Sequence, residues 1–127
     1  DPALGWGLTW DSKLYAGDWA DLPEMPSSTA AAELYPIVAF IVSHAHLLAG
    51  TLFTATTDSE AAFFAMNTGD SSEPGVFDLL ARMGEAMREH DIYVLAEWVP
   101  RELNFETDCL SKRKHPAQAC ARQLPLL

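Results

Sequence analysis

A single mixed α/β domain is predicted by three observations in this 127-residue chain. Apolar residues alternate at strand spacing in Trp6-Gly7-Leu8-Thr9-Trp10, and they recur at helical spacing at Val76, Leu80, Met83 and Met87. Clusters of turn formers separate the apolar segments along the rest of the chain. A domain of this size buries a sizeable core without disulfides or metal staples.

The elements follow in order. Trp6, Leu8 and Trp10 share one face of a strand. Asp11-Ser12 signals a turn, and residues 13–19 read as the returning strand of a hairpin. Residues 20–28, with Pro23, Pro26 and two serines, form a loop. Ser27 or Ser28 caps a helix over residues 29–48, within which Pro36 predicts a kink or a late start. Gly50 stops it, and residues 51–57 form a β-rich strand. Asp58 or Ser59 caps a short helix carrying Ala61 to Met66, and the turn formers of residues 67–75 precede a helix over residues 75–90. Residues 92–99 form a strand apolar enough at its start for burial on both faces, ended by Pro100. A final helix spans residues 105–114. The order β-β-α-β-α-α-β-α is a hairpin followed by crossover units.

Composition narrows the function classes. Hydrophobic residues make up 49% and charged residues 20%, the balance of a globular protein rather than a disordered tail. The longest apolar run, residues 36–42, is far too short to span a membrane, and the N-terminus lacks the layout of a signal peptide. Cys109 and Cys120 lack metal-ligand spacing and are too few for a disulfide scaffold, which points to a reducing compartment. Net charge is −10, unevenly spread. Residues 1–110 hold all 18 acidic and four of the eight basic residues, a net −14; residues 111–127 hold the other four basic residues and no acid, a net +4. The body would repel phosphate unless metal ions or a partner intervene. The basic tail either contacts phosphate or is a solvated end, the commoner use of short charge runs.

The chemical signal is the placement of a few carboxylates. Glu33 lies among apolar residues on the first helix, Asp58 at the carboxyl end of a strand, where ligands gather in α/β sheets, and Asp108 early in the last helix. Asp1 stands just before a Gly-Trp-Gly strand. Converging carboxylates raise one another's pKa unless a cation neutralises them. Oxygen-only ligation selects hard ions such as magnesium or manganese. Two such ions about 4 Å apart serve phosphodiester hydrolysis. Residue types alone leave ordinary caps and solvated faces as the commoner account of these acids.

The local strings add a family resemblance. Asp1-Pro2-Ala3-Leu4-Gly5-Trp6-Gly7 resembles the first motif of ribonuclease H domains fused to reverse transcriptases. Ala31-Ala32-Glu33-Leu34 resembles the second, and Thr57-Asp58-Ser59 with the helix to Asn67 the third. Trp98-Val99-Pro100-Arg101-Glu102-Leu103-Asn104, then Asp108-Cys109-Leu110-Ser111-Lys112, resembles the fourth and most specific. The strings are most similar to those of DIRS-type retrotransposons and hepadnavirus-like polymerases.

The resemblance implies a ribonuclease H-like three-layer fold over residues 1–114, with a mixed five-stranded sheet (antiparallel hairpin plus parallel strands) flanked by helices and a basic tail at residues 115–127. It implies hydrolysis of the RNA strand of RNA–DNA hybrids with two Mg2+ ions, Mn2+ substituting. Asp1, Glu33, Asp58 and Asp108 would be the metal-binding catalytic carboxylates. The reverse transcriptase domain of the same polyprotein would be the partner, with no membrane involved, and the site of action intracellular, in cytoplasm or nucleus. A hybrid exposes 2′-hydroxyls on one strand only, which lets such a protein tell RNA from DNA.

Three departures accompany the resemblance. Asp1 sits about a residue closer to Gly-Trp-Gly than the family's first aspartate. Either it is that ligand in a shortened loop, or the ligand and its strand belong to upstream sequence. Residues 99–107 lack the histidine that many members carry before the last aspartate, and His115 follows the motif instead. No basic protrusion lies between the helices, where Ser71 to Gly75 is a short acidic turn. A non-catalytic scaffold module binding a polymerase or ribonucleoprotein is the alternative.

Other candidates carry ordinary readings beside functional ones. Asn67 and Asn104 would contact the hybrid's minor groove or its sugar–phosphate chain, against turn and capping roles, and Arg101 would reach a phosphate, against an ordinary exposed arginine. His44 and His46 face different ways on a helix, which disfavours zinc. The four tryptophans stack on bases or, more commonly at strand spacing, pack in the core. Cys109 reads as a packed small side chain.

Overall fold

The structure, a computed structural model, describes residues 4–127. It is an α/β fold whose order agrees with the sequence reading. Strands β1 (Gly5–Trp10) and β2 (Lys13–Asp18) form an antiparallel hairpin. Its two-residue turn places Asp11 and Ser12 at φ 50° and 61°, the left-handed pair that matches strand twist. Trp19 opens a short 3-10 turn instead of closing the second strand.

Helix α1 (Thr29–Ser43) is capped by Ser28, whose Oγ accepts from the Ala31 N–H at 3.1 Å. The helix continues through Pro36, neither starting late nor ending there. It breaks at His44, before a single turn, α2 (Ala45–Leu48). The break has a local cause. Ser43 Oγ donates to the Phe40 carbonyl at 3.1 Å and lies 2.8 Å from His44 Nδ1, so side chains compete with the backbone ladder. Gly50, at φ 72°, turns the chain into β3 (Leu52–Thr57).

Ser59, not Asp58, caps α3 (Glu60–Thr68), which ends on left-handed Gly69. Helix α4 (Pro74–His90) places Pro74 in its first turn, where a missing N–H costs nothing. Strand β4 (Tyr93–Trp98) pairs in parallel with β3. A 3-10 turn over Arg101–Asn104 leads into α5 (Phe105–Ser111), which ends before the residue 114 expected from the sequence.

Trp6, Leu8 and Trp10 face α1, while Gly7 on the opposite face lies against α5. Phe40, 1% exposed, joins the halves of the core. Its ring lies 5.2 Å from Trp10, 5.4 Å from Tyr15, 4.1 Å from His44 and 5.7 Å from Phe53. Helix α4 covers the far side of α1 with Val76, Leu80 and Met83.

Three expectations change. The sheet is not five-stranded: the described residues form two separate two-stranded sheets, β1-β2 and β3-β4, with a cleft between them. Strand β4 is not buried on both faces, since Tyr93 is 71% and Leu95 51% exposed. Apolar content records what a strand can bury, whereas α1 and α3 supply a covering layer on one face only. The C-terminal residues are not a solvated end. Arg122 pairs its backbone with β2, the Leu127 N–H donates to the Tyr35 hydroxyl at 3.3 Å, and Leu124 enters the core. The apolar Leu124 and Leu127, rather than the basic residues, decide where this segment lies. Among the described residues, no helix is long and apolar enough to cross a membrane.

Candidate functional site

Three elements bring carboxylates to one pocket. Glu33 projects from the second turn of α1, Asp58 follows the last residue of β3, and Asp108 lies in α5. All three line a cavity of about 290 Å3 together with Gly5, Gly7 and Asn104.

Asp58 is held firmly. The Val99 N–H donates to the Thr57 carbonyl at 3.0 Å, and the Trp98 indole Nε1 donates to the Asp58 carbonyl at 3.1 Å. Thr57 is buried, and its Oγ1 accepts from the Ser59 N–H at 3.1 Å. Asp108 reaches the pocket because α5 lies directly on the face of β1. A Cβ built on Gly7 would stand 2.4 Å from Leu110 Cβ and 2.9 Å from the Thr107 carbonyl oxygen. Gly7→Ala is therefore expected to displace α5, with a loss of about 1–3 kcal/mol of stability read by urea denaturation.

The electrostatics fit a gathered acidic set. Burial holds the Glu33 carboxyl above its ordinary value of 4.5, and the charges of Asp58 and Asp108 push it further up. Arg101 pulls in the opposite direction. Glu33 thus binds its proton more tightly in the folded chain than in the unfolded one. The stability this adds is whole below the unfolded pKa and lost as pH rises through the folded pKa. Glu33→Gln is expected to raise the Tm of the metal-free protein at about pH 8, with the gain shrinking toward about pH 4. Thermal melts in chelator across that range check it.

Side-chain cations stand beside two of the acids. Arg101 Nε lies 3.7 Å from Asp58 Oδ2, and Lys112 Nζ lies 3.3 Å from Asp108 Oδ2, one helical turn on. Among the described residues, no group of three His, Cys, Asp or Glu is placed to hold a metal ion in this arrangement.

Of the residues singled out in the sequence, Glu33, Asp58, Asp108 and Asn104 line the pocket, and Arg101 borders it through Asp58. Asn67 is exposed near the end of α3 and does not line it. Asp1 lies outside the described residues. His44 stacks on Phe40 and His46 packs against His90, so the two do not form a common site. Trp6 and Trp19 are core residues, while Trp98 is 42% exposed beside Asp58. His115 lies 3.2 Å from Glu106.

Two contacts at the site had no counterpart in the sequence reading, the Asp108–Lys112 ion pair and the bond from the Trp98 indole to the Asp58 carbonyl. The Asp108–Lys112 spacing of four was a legible signal for an ion pair. The Trp98 anchor was not, because it depends on β3 and β4 being neighbours. The chain matches no family model, no curated protein and no solved structure.

Proposed function

We propose that this chain is a ribonuclease H-like domain that hydrolyses the RNA strand of RNA–DNA hybrids within a reverse-transcribing polyprotein, inside the cell in cytoplasm or nucleus. The observation that carries this reading is the convergence of Glu33, Asp58 and Asp108 on one pocket from three distant parts of the chain. These are positions the motif resemblance assigns as ligands.

The donor chemistry fits hard divalent ions, being oxygen-only, with a glutamate whose ionisation is opposed by burial and by the charges of its acidic neighbours. Glu33, Asp58 and Asp108 would hold such ions, Asp58 centrally. When bound, two magnesium ions supply Lewis-acid activation of water and stabilisation of charge on the leaving 3′ oxygen, and manganese substitutes.

The chain's own residues do the rest. Asp58 is fixed by the backbone bonds at the end of β3 and β4. Arg101, 77% exposed at its side chain, is free to exchange Asp58 for a phosphate once that carboxylate has another cation. Asn104 offers an amide to the sugar–phosphate chain from the pocket wall. The acidic body gives little general grip on nucleic acid, so the attached polymerase domain would supply much of it.

The test is a substrate panel. In magnesium or manganese, the chain is expected to cut RNA in RNA–DNA hybrid and to leave duplex DNA and single-stranded RNA intact. A second reading, a non-catalytic scaffold, is favoured by Arg101 and Lys112 standing on two of the acids. Hybrid binding without hydrolysis in either metal would select it. Cleavage of duplex DNA would overturn both.

A further inference from the structure

The outer edges of β2 and β4 are finished differently. On β2, the Ala16 N–H donates to the Arg122 carbonyl at 3.0 Å, and the Arg122 N–H donates to the Leu14 carbonyl at 2.8 Å. The C-terminal segment thus covers that edge. On β4 the Tyr93 N–H donates to Thr51 and the Val99 N–H to Thr57, each at 3.0 Å, so the odd-numbered residues of β4 face β3. Val94, Ala96 and Trp98 direct their backbone N–H and C=O groups outward. Among the described residues, no backbone group meets them.

Open edges are ordinarily blunted by proline, lysine, a bulge or a very short strand. Strand β4 is six residues long, reads Tyr-Val-Leu-Ala-Glu-Trp and pairs with β3 without a bulge. Its one charge is Glu97. Tyr93 and Leu95 stand exposed along it. This edge is built to pair rather than to repel.

The strand also complements itself. In an antiparallel pair, residues that exchange hydrogen bonds lie directly opposite each other. Two copies related by a two-fold axis must therefore set outward residues against outward residues, with the axis on a residue rather than between two. An axis at Leu95 sets Val94 against Ala96 and Tyr93 against Glu97. Leu95 then meets Leu95 of the second copy as a non-bonded pair, the kind with the closest side chains. Neighbouring registers are worse. An axis at Val94 sets Asp91 against Glu97, one at Ala96 sets Leu95 against Glu97, and one at Glu97 sets that carboxylate against itself.

We propose that the free edge of β4 docks a second copy of this chain, β4 against β4 in antiparallel sense with Leu95 on the two-fold axis. The two β3-β4 pairs become one continuous sheet. Each carboxylate pocket lies at the carboxyl end of β3, beside Trp98. The axis sets Trp98 of one copy against Ile92 of the other, so the two Trp98 residues stand roughly 20 Å apart along the strands at about 3.3 Å per residue. Neither copy reaches the other's pocket. The inference rests on backbone geometry and strand composition and does not depend on the nuclease reading.

The test is sedimentation of the chain over a range of concentration and salt, with amide hydrogen exchange by NMR. A monomer–dimer equilibrium is expected, and salt is expected to strengthen it, because each copy carries a net charge of −10. As dimer forms, exchange at Val94 and Ala96 is expected to slow by about tenfold or more, while Tyr93 and Leu95, already bonded to β3, change little. Leu95→Lys, at a half-exposed position, sets like charges across the axis and is expected to weaken the dimer by about tenfold or more with the Tm of the monomer kept. Ala96→Pro removes an outward donor at a place where an edge strand accepts proline, and is expected to abolish the dimer. Should Ala96→Pro fail to fold, Leu95→Lys carries the comparison alone. A monomer under every condition, or a dimer that Leu95→Lys leaves intact, would overturn the proposal. Protection of Val94 and Ala96 that does not vary with concentration would overturn it as well. Protection that appears only with an added lysine-rich extended peptide would give the edge to a different chain and overturn self-pairing. No nucleic acid enters the assay, so loss of the nuclease reading leaves its outcome intact.

Discussion

Asp58→Asn is expected to fold normally and to lose hybrid cleavage in magnesium by about 10²–10³-fold or more, the scale seen when a preorganised electrostatic group is removed. The two side chains have nearly the same shape, and the bonds that position residue 58 come from backbone and from Trp98 Nε1. The exposed Arg101 loses a partner at little cost. Only the central negative charge goes. Glu33, relieved of a like-charged neighbour, then titrates at lower pH. Initial cleavage rates beside thermal melts separate lost chemistry from lost folding. Unchanged cleavage in Asp58→Asn would remove this residue from the metal-binding role.

The second large effect concerns the core. Phe40→Ala is expected to cost about 3–5 kcal/mol, the range for deleting a large buried aromatic. Phe40 is nearly inaccessible and touches rings from the hairpin, from His44 at the end of α1 and from β3. Among the described residues, no strand pairing joins the two sheets, so α1 and this ring carry much of their connection. Typical domains have a net stability of about 5–15 kcal/mol, so a loss on this scale leaves the two halves weakly coupled. Urea denaturation measures the loss. A shallower, probe-dependent transition would indicate that the hairpin and the parallel pair then unfold separately.

Much of the local structure was legible in the chain. Ser28, Ser59, Gly50 and Gly69 act through bonds or dihedrals confined to a few residues, and these punctuate helices and strands as their chemistry requires. Asp11-Ser12 likewise turns the hairpin on its own. Pro36 was harder, because a helix tolerates the missing N–H when its face is packed, and the break fell instead where Ser43 and His44 contend for the Phe40 carbonyl. The exposure of β4 depends on a layer that its own residues do not encode. The placement of the C-terminal segment rests on Leu124 and Leu127 finding partners about 90–110 residues away in the chain, beyond the reach of periodicity.

The site divides in the same way. Glu33, Asp58 and Asp108 were identifiable by residue type and by their places on a helix, a strand end and a later helix, and the fold gathers them. Asn67 was not separable from them in the sequence, since one exposed helical asparagine resembles another until the turn is placed. Arg101 was expected to reach phosphate. Its contact with Asp58 is a tertiary pairing that the intervening residues conceal.

The indole tethered to the Asp58 carbonyl has a practical consequence. Trp98 faces solvent while Trp6 and Trp19 are enclosed, so its fluorescence is the emission most open to aqueous quenchers. Any ion seated on Asp58 would perturb a fluorophore bonded to that same residue, giving the pocket a built-in optical gauge of occupancy. Manganese titration of the native chain against Trp98→Phe would read it without a label.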